Sequence, residues 1–305
     1  MSEEEFEEFY HFDGSLERKG HFKDGREEGV WEFFYENGAR EKLGQFKDGR
    51  EEGLWHFYFK DGTLKKEVSF KNGREDGLWK QFDQKGWLAA AGNYKDGRIH
   101  GRWEGYYETG ELLQTSNFKH GKKDGLWETY YEDGSLMIIE NYENGVKEGR
   151  WNTFFENGDV ETITNYQNGE KHGLWDESGR AGERGHYIYG KKDGVWESYG
   201  MKGELYKKET YKAGKLDGLT EHILGGRRDL VGSTVWKKET YKDNKLTGVC
   251  EENGRIMGSY KDGKKDGRWL EKAGSRFSYP GGRISIGPND LIEVFYKNGE
   301  LIPKK

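Results

Sequence analysis

The sequence predicts an all-β fold, an elongated antiparallel β-hairpin (meander) array of about eleven repeats of 24 residues with no helical domain. Three observations predict it. An aromatic residue, a short polar turn, a glycine and a tryptophan recur at a 24-residue interval, from Phe22…Trp31 and Phe46…Trp55 to Tyr166…Trp175. A fixed period in the range of about 20–50 residues marks units that cover one another's apolar surface. Turn glycines, mostly in Asn-Gly or Asp-Gly pairs, stand at 38, 49, 62, 73, 86, 97, 110, 121, 134, 145, 158 and 169, in steps of 11 and 13. Such pairs supply the positive φ of tight hairpins. Finally, the segments between turns alternate with period two and are too short for a helix.

In chain order, residues 1–21 form a partial repeat or cap, and residues 22–175 are the regular array. Each unit gives one strand of about five to seven residues on either side of each turn. In Trp127-Glu-Thr-Tyr-Tyr131, parity places Trp127 and Tyr131 on one face and Leu126, Glu128 and Tyr130 on the other. On the return strand it groups Leu136 with Tyr142, and Leu64 with Phe70. The second glycine of each unit (Gly29, Gly53, Gly77, Gly101, Gly125, Gly149, Gly173) precedes the Trp strand. Two readings stay open there: a neighbouring aromatic ring lying on the glycine, or a bulge. Residues 176–270 are degenerate, with Thr220 and Cys250 in tryptophan positions and an insert at 222–236; residues 271–305 are a C-terminal cap. At about 4.8 Å per strand the array would run on the order of 100 Å.

Composition fits such a chain. Hydrophobic residues make up only 32% and charged residues 35%, but the aromatic share of 15% supplies a thin core of large rings. The net charge of −6 speaks against a nucleic-acid partner, because phosphate neutralisation is the main source of that affinity. One cysteine excludes an internal disulfide framework. An acidic N-terminus unlike a signal peptide, and no long apolar run, give the expectation of a cytoplasmic protein without membrane attachment.

No catalytic, cofactor or metal constellation emerges, and an enzyme is not expected. His100 and His172 share a repeat position but lie three repeats apart, too far to hold one ion. Cys250, in a tryptophan position, reads as packing. Carboxylate pairs such as Glu51-Glu52 recur in every early unit, whereas a catalytic pair is singular. A basic ladder (Arg26, Arg50, Arg74, Arg98, Lys122) and an acidic one (Glu28, Glu52, Asp76, Asp124, Glu148) read as surface ion pairs. Asn93, Asn117, Asn141 and Asn165 precede the anchor aromatics and read as backbone-bonding residues. A third ladder, Phe34, Tyr58, Phe82, Tyr106, Tyr130 and Phe154, follows each tryptophan by three and shares its face with a polar position. Aromatics in a half-wet row are the candidate partner-binding residues; mutual cross-strand covering is the competing reading.

The unit Gly125-Leu-Trp-Glu-Thr-Tyr-Tyr-Glu-Asp-Gly-Ser-Leu136, followed by Tyr142-Glu-Asn-Gly-Val-Lys-Glu-Gly149, resembles the MORN-repeat variant of bacterial YwqK-type antitoxin proteins. The likeness spans roughly residues 10–270. It implies a hairpin array that binds a protein, as an antitoxin or immunity protein occluding a toxin. A weaker resemblance, to choline-binding cell-wall repeats, implies aromatic cages for quaternary ammonium ions. Ordinary MORN arrays point to membrane lipids, for which an acidic chain has little attraction. Self-association through sheet edges is the remaining alternative.

Overall fold

The computed structural model describes residues 4–179, 181–227, 234–272 and 290–302. These residues form 29 strands, all paired antiparallel, and no helix. They fall into two compact units, Met1–Asp159 and Val160–Lys305. Parts of the N-terminal cap (1–3), the insert (228–233) and the C-terminal cap (273–289 and 303–305) lie outside the described residues.

In the first unit, Arg40–Lys47, Arg50–Tyr58, Leu64–Lys71 and Arg74–Phe82 show the pattern. These strands run eight or nine residues, longer than expected, because the narrow turn uses only two. Asp48 and Gly49 take φ 51° and 73°, the doubly positive signature of the type I′ hairpin. The wider turn is closed twice: Tyr35 N–H donates to Ala39 O and Gly38 N–H to Tyr35 O, both at 2.9 Å.

Two irregularities per repeat decide where side chains point. Gln45 pairs with Glu52 and Leu43 with His56, so Gly53, Leu54 and Trp55 together face Gly44. Gly53 sits at φ 71° in this bulge with no ring against it. The bulge reading of these glycines therefore holds, and the ring lies on a different glycine. A Cβ on Gly44 would stand 2.0 Å from Trp55 Cδ2; the same contact joins Gly20 to Trp31 at 2.3 Å and Gly92 to Trp103, through its Cε3, at 2.1 Å. Each such indole also meets an anchor aromatic edge-on, as Trp55 meets Phe46 at 5.0 Å, and Trp55 Nε1–H donates to Gln45 O at 3.2 Å. Trp31 and Trp55 are fully buried by this arrangement.

The second irregularity is one extra residue after the wide turn. Phe57 pairs with Lys66 but Tyr58 with Leu64, leaving Lys65 unpaired. Alternation is thereby shifted, and Leu64 faces away from Phe70, against the parity expectation. The preceding repeat shows the same shift: Lys42 lies over Phe33 on the tryptophan face while Arg40 bonds Glu32 on the opposite one.

The acidic ladder is not a set of ion pairs. Glu28 accepts from Asp48 N–H at 2.9 Å, Glu52 from Asn72 N–H at 2.9 Å, Asp76 from Asp96 N–H at 3.1 Å and Asp124 from Asn144 N–H at 3.0 Å. Each carboxylate thus holds the narrow turn of the following repeat. His100 occupies the same position and accepts through Nδ1 from His120 N–H at 3.4 Å. The basic ladder lays its stems on these turns, with Arg50 Cβ 3.7 Å from where a Gly73 Cβ would stand. Glu52→Ala should therefore cost about 0.5–1.5 kcal/mol in urea denaturation, with Glu52→Gln in between because it keeps an acceptor. Wild-type midpoints for both variants would refute the capping role.

The second unit repeats the plan less regularly. Trp196 lies on Gly185 and Trp269 on Gly258. Strands Lys215–Arg227 and Thr234–Lys242 pair across the insert, which lengthens a hairpin. Where tryptophan is missing, the residue beneath is no longer glycine: Thr220 pairs with Glu209 and with Glu239, both buried or half-buried. Glu209 bonds Lys207 at 2.6 Å and Glu239 bonds Lys237 at 2.8 Å. Cys250 is buried beside them, and burial pushes its thiol up from the usual range, Glu239 adding to this.

Candidate partner-binding face

The face opposite the tryptophans is set by the strand segment after each tryptophan. Glu32 and Phe34, or Glu128 and Tyr130, are two residues apart on a strand and point the same way. All six residues of the aromatic ladder, Phe34, Tyr58, Phe82, Tyr106, Tyr130 and Phe154, lie half-buried on this face of the first unit. Successive members are two strands, roughly 10 Å, apart.

What fills the intervals comes from the extra residue after the wide turn. Phe34 pairs with Arg40, Tyr58 with Leu64, Phe82 with Leu88, Tyr106 with Leu112 and Tyr130 with Leu136. The row is therefore a stripe in which four of the six aromatics are paired with leucines and Phe34, at one end, with an arginine. Parity reasoning misses these leucines because it assigns them to the tryptophan face. Their signal in the sequence is the Gly-x-Leu that closes four consecutive wide turns, from Gly62-Thr-Leu64 to Gly134-Ser-Leu136.

The polar groups beside the stripe are matched to one another. Arg40 and Lys19 bond Glu32 at 2.6 and 3.5 Å; His56 and Lys80 flank Glu67 at 3.5 and 3.6 Å. Tyr106 donates to Glu104 at 2.7 Å and Tyr130 to Glu128 at 2.9 Å. Burial pushes both phenols above their ordinary range, and the neighbouring carboxylates push further. The stripe thus presents ring faces and leucines with the hydroxyls of Tyr106 and Tyr130 already satisfied, a surface suited to apolar contact. Asn117 and Asn165 bond the backbone as expected, donating to Leu126 O and Leu174 O at 2.6 Å.

Among the described residues, no cluster of His, Cys, Asp or Glu is arranged to hold a metal ion, and no helix is long and apolar enough to cross a membrane.

Six segments, residues 27–48, 51–72, 75–96, 99–120, 123–144 and 147–168, match the family model described as MORN repeat variant. No curated protein matches the chain. Solved structures similar to it include the crystal structures of TcdB2-TccC3-Cdc42, TcdB2-TccC3 and TcdB2-TccC3-TEV, at 10%, 10% and 12% identity and TM-scores of 0.20, 0.17 and 0.18. The alignments cover 88%, 87% and 98% of this chain but only 17%, 16% and 16% of theirs. Superpositions that poor carry no argument.

Proposed function

We propose, from six consecutive MORN-variant repeats that each turn the same aromatic to the same face, that this chain is a protein-binding module and not an enzyme. One observation carries the reading: the half-exposed stripe of Phe34, Tyr58, Phe82, Tyr106, Tyr130 and Phe154 interleaved with leucines. Rings of this kind give contact area at low entropic cost, and their matched polar neighbours leave little to desolvate on docking. Within that class we propose toxin neutralisation, the partner being a toxin whose active surface is covered by the stripe. The resemblance of the repeat unit to YwqK-type antitoxins supports this choice.

The test is capture followed by rescue. The full chain and a Tyr58→Ser/Tyr106→Ser/Tyr130→Ser variant are immobilised, and partners from the source lysate are identified. Wild type should retain one stoichiometric protein that arrests growth when expressed alone and is tolerated when co-expressed with the chain. The triple variant, folded by circular dichroism, should lose at least tenfold in affinity, about 1.4 kcal/mol. Equal capture by both forms would remove the stripe from the interface. A partner with no effect on growth would remove the toxin.

A further inference from the structure

The tryptophan face of the early repeats carries a second stripe of different chemistry. Phe9 pairs with Arg18, Arg18 with Phe33, Phe33 with Lys42, Lys42 with Phe57 and Phe57 with Lys66. Ring and cation alternate strand by strand, about 4.8 Å apart. The Arg18 guanidinium carbon lies 4.2 Å from the centre of the Phe9 ring, Lys42 Nζ 4.1 Å from Phe33 and Lys66 Nζ 4.5 Å from Phe57. All six side chains are half-buried. In the next repeat the same register line runs through Gln81 and Ala90, and both rings and charges stop.

These cations differ from those on the other face. There, Lys19, Arg40 and Lys80 each sit on a carboxylate. Here, Lys42 and Lys66 make no ion pair among the described residues, and Arg18 reaches Glu27 only at 3.9 Å. Each ammonium is held against a ring on one side, which fixes its position without neutralising it. Beside Phe57 and Lys66 a cavity of about 220 Å³ opens at the rim between the two faces, lined also by Tyr35, Glu41, Tyr58, Lys65 and Gln81.

We propose that this stripe is a second binding surface, distinct from the row of Phe34 and Tyr58, and that its occupant is an acidic peptide segment in polyproline II conformation. Charge complementarity selects the occupant. Cations two strands apart stand about 10 Å from one another, close to the roughly 9 Å between side chains three residues apart on a polyproline II chain, which share one face. A carboxylate at every third position would therefore meet Arg18, Lys42 and Lys66 in turn, with an apolar residue between them against Phe33 and Phe57. A uniformly charged phosphate polymer fits less well. It has no apolar side chain to set against Phe33 and Phe57, which stand between the cations.

The probe is a fluorescein-labelled peptide of repeated Glu-Pro-Val triplets, which favour polyproline II, with its Gln-for-Glu counterpart, read by fluorescence anisotropy on the full chain. The Glu peptide should bind with an affinity that falls as salt rises, and the Gln peptide should bind about tenfold more weakly. Lys42→Glu/Lys66→Glu should weaken the Glu peptide by at least that factor. Lys42→Met/Lys66→Met, which keeps the stems over the rings, covers the case in which charge reversal unfolds the repeats. A Tyr106→Ser/Tyr130→Ser variant, which leaves the cavity beside Lys66 intact, should bind the peptide as wild type does, so failure here and failure of the other face are separable. Equal binding of both peptides, indifference to both lysine variants, or preference for oligothymidylate over the Glu peptide would each overturn the proposal.

Discussion

Trp55→Ala is expected to remove about 3–5 kcal/mol of stability, the ordinary cost of emptying a fully buried large ring. Trp55 lies flat on Gly44, edge-on to Phe46, and donates from Nε1 to Gln45 O. Its removal strips cover from two anchor aromatics, Phe46 and Phe70. Because units of a repeat array contact mainly their neighbours, the loss should be concentrated locally. Hydrogen exchange should rise in Arg40–Tyr58 and its flanking strands well before it rises at Trp127. Uniform protection across the first unit, or a loss under about 1 kcal/mol, would contradict the picture of rings as the core.

Gly44→Val is expected to cost about 1–3 kcal/mol and to expose Trp55. Gly44 has no room for a Cβ, which would overlap the indole. The chain contains this substitution already: Val68 pairs with Trp79, and Trp79 is only half-buried, its ring shifted to within 4.6 Å of Trp103. The variant should therefore keep its β-structure while its tryptophan emission moves to longer wavelength. Combining it with Trp55→Thr, by analogy with Glu209 and Thr220, should make the pair non-additive, the double variant being less impaired than the sum. Additive losses would show that ring and glycine are not a unit.

The hairpin plan was legible because it is written in turn chemistry. Asn72-Gly73 demands two positive φ values, and the structure supplies 51° and 76°. The faces were legible only as far as strict alternation holds. Lys65 breaks that alternation by one residue, and nothing about a lysine announces a bulge, so Leu64 was placed on the wrong side. Outside the turns, the glycine typified by Gly53 is conspicuous because it recurs in each unit from Gly29 to Gly173, yet it serves the bulge. The site beneath the ring is inconspicuous, because its residue changes from Gly44 to Val68, Ser116 and Glu140. The acidic ladder misled for a related reason. Glu52 beside Arg50 looks like an ion pair, but its acceptor oxygen is aimed at a backbone amide 20 residues later. Charge pattern reports composition, whereas that bond depends on how one hairpin is stacked on the next.

That stacking has a direction. The amides of Asp48 and Gly49 seek oxygens of Glu28 and Glu27, and those of Asn72 and Gly73 seek Glu52 and Glu51. These narrow turns therefore find their acceptors in chain that precedes them. A ribosome delivers residues in the same order, so each hairpin leaves the exit tunnel onto a template already set, and the array can crystallise behind the growing end without waiting for distant sequence.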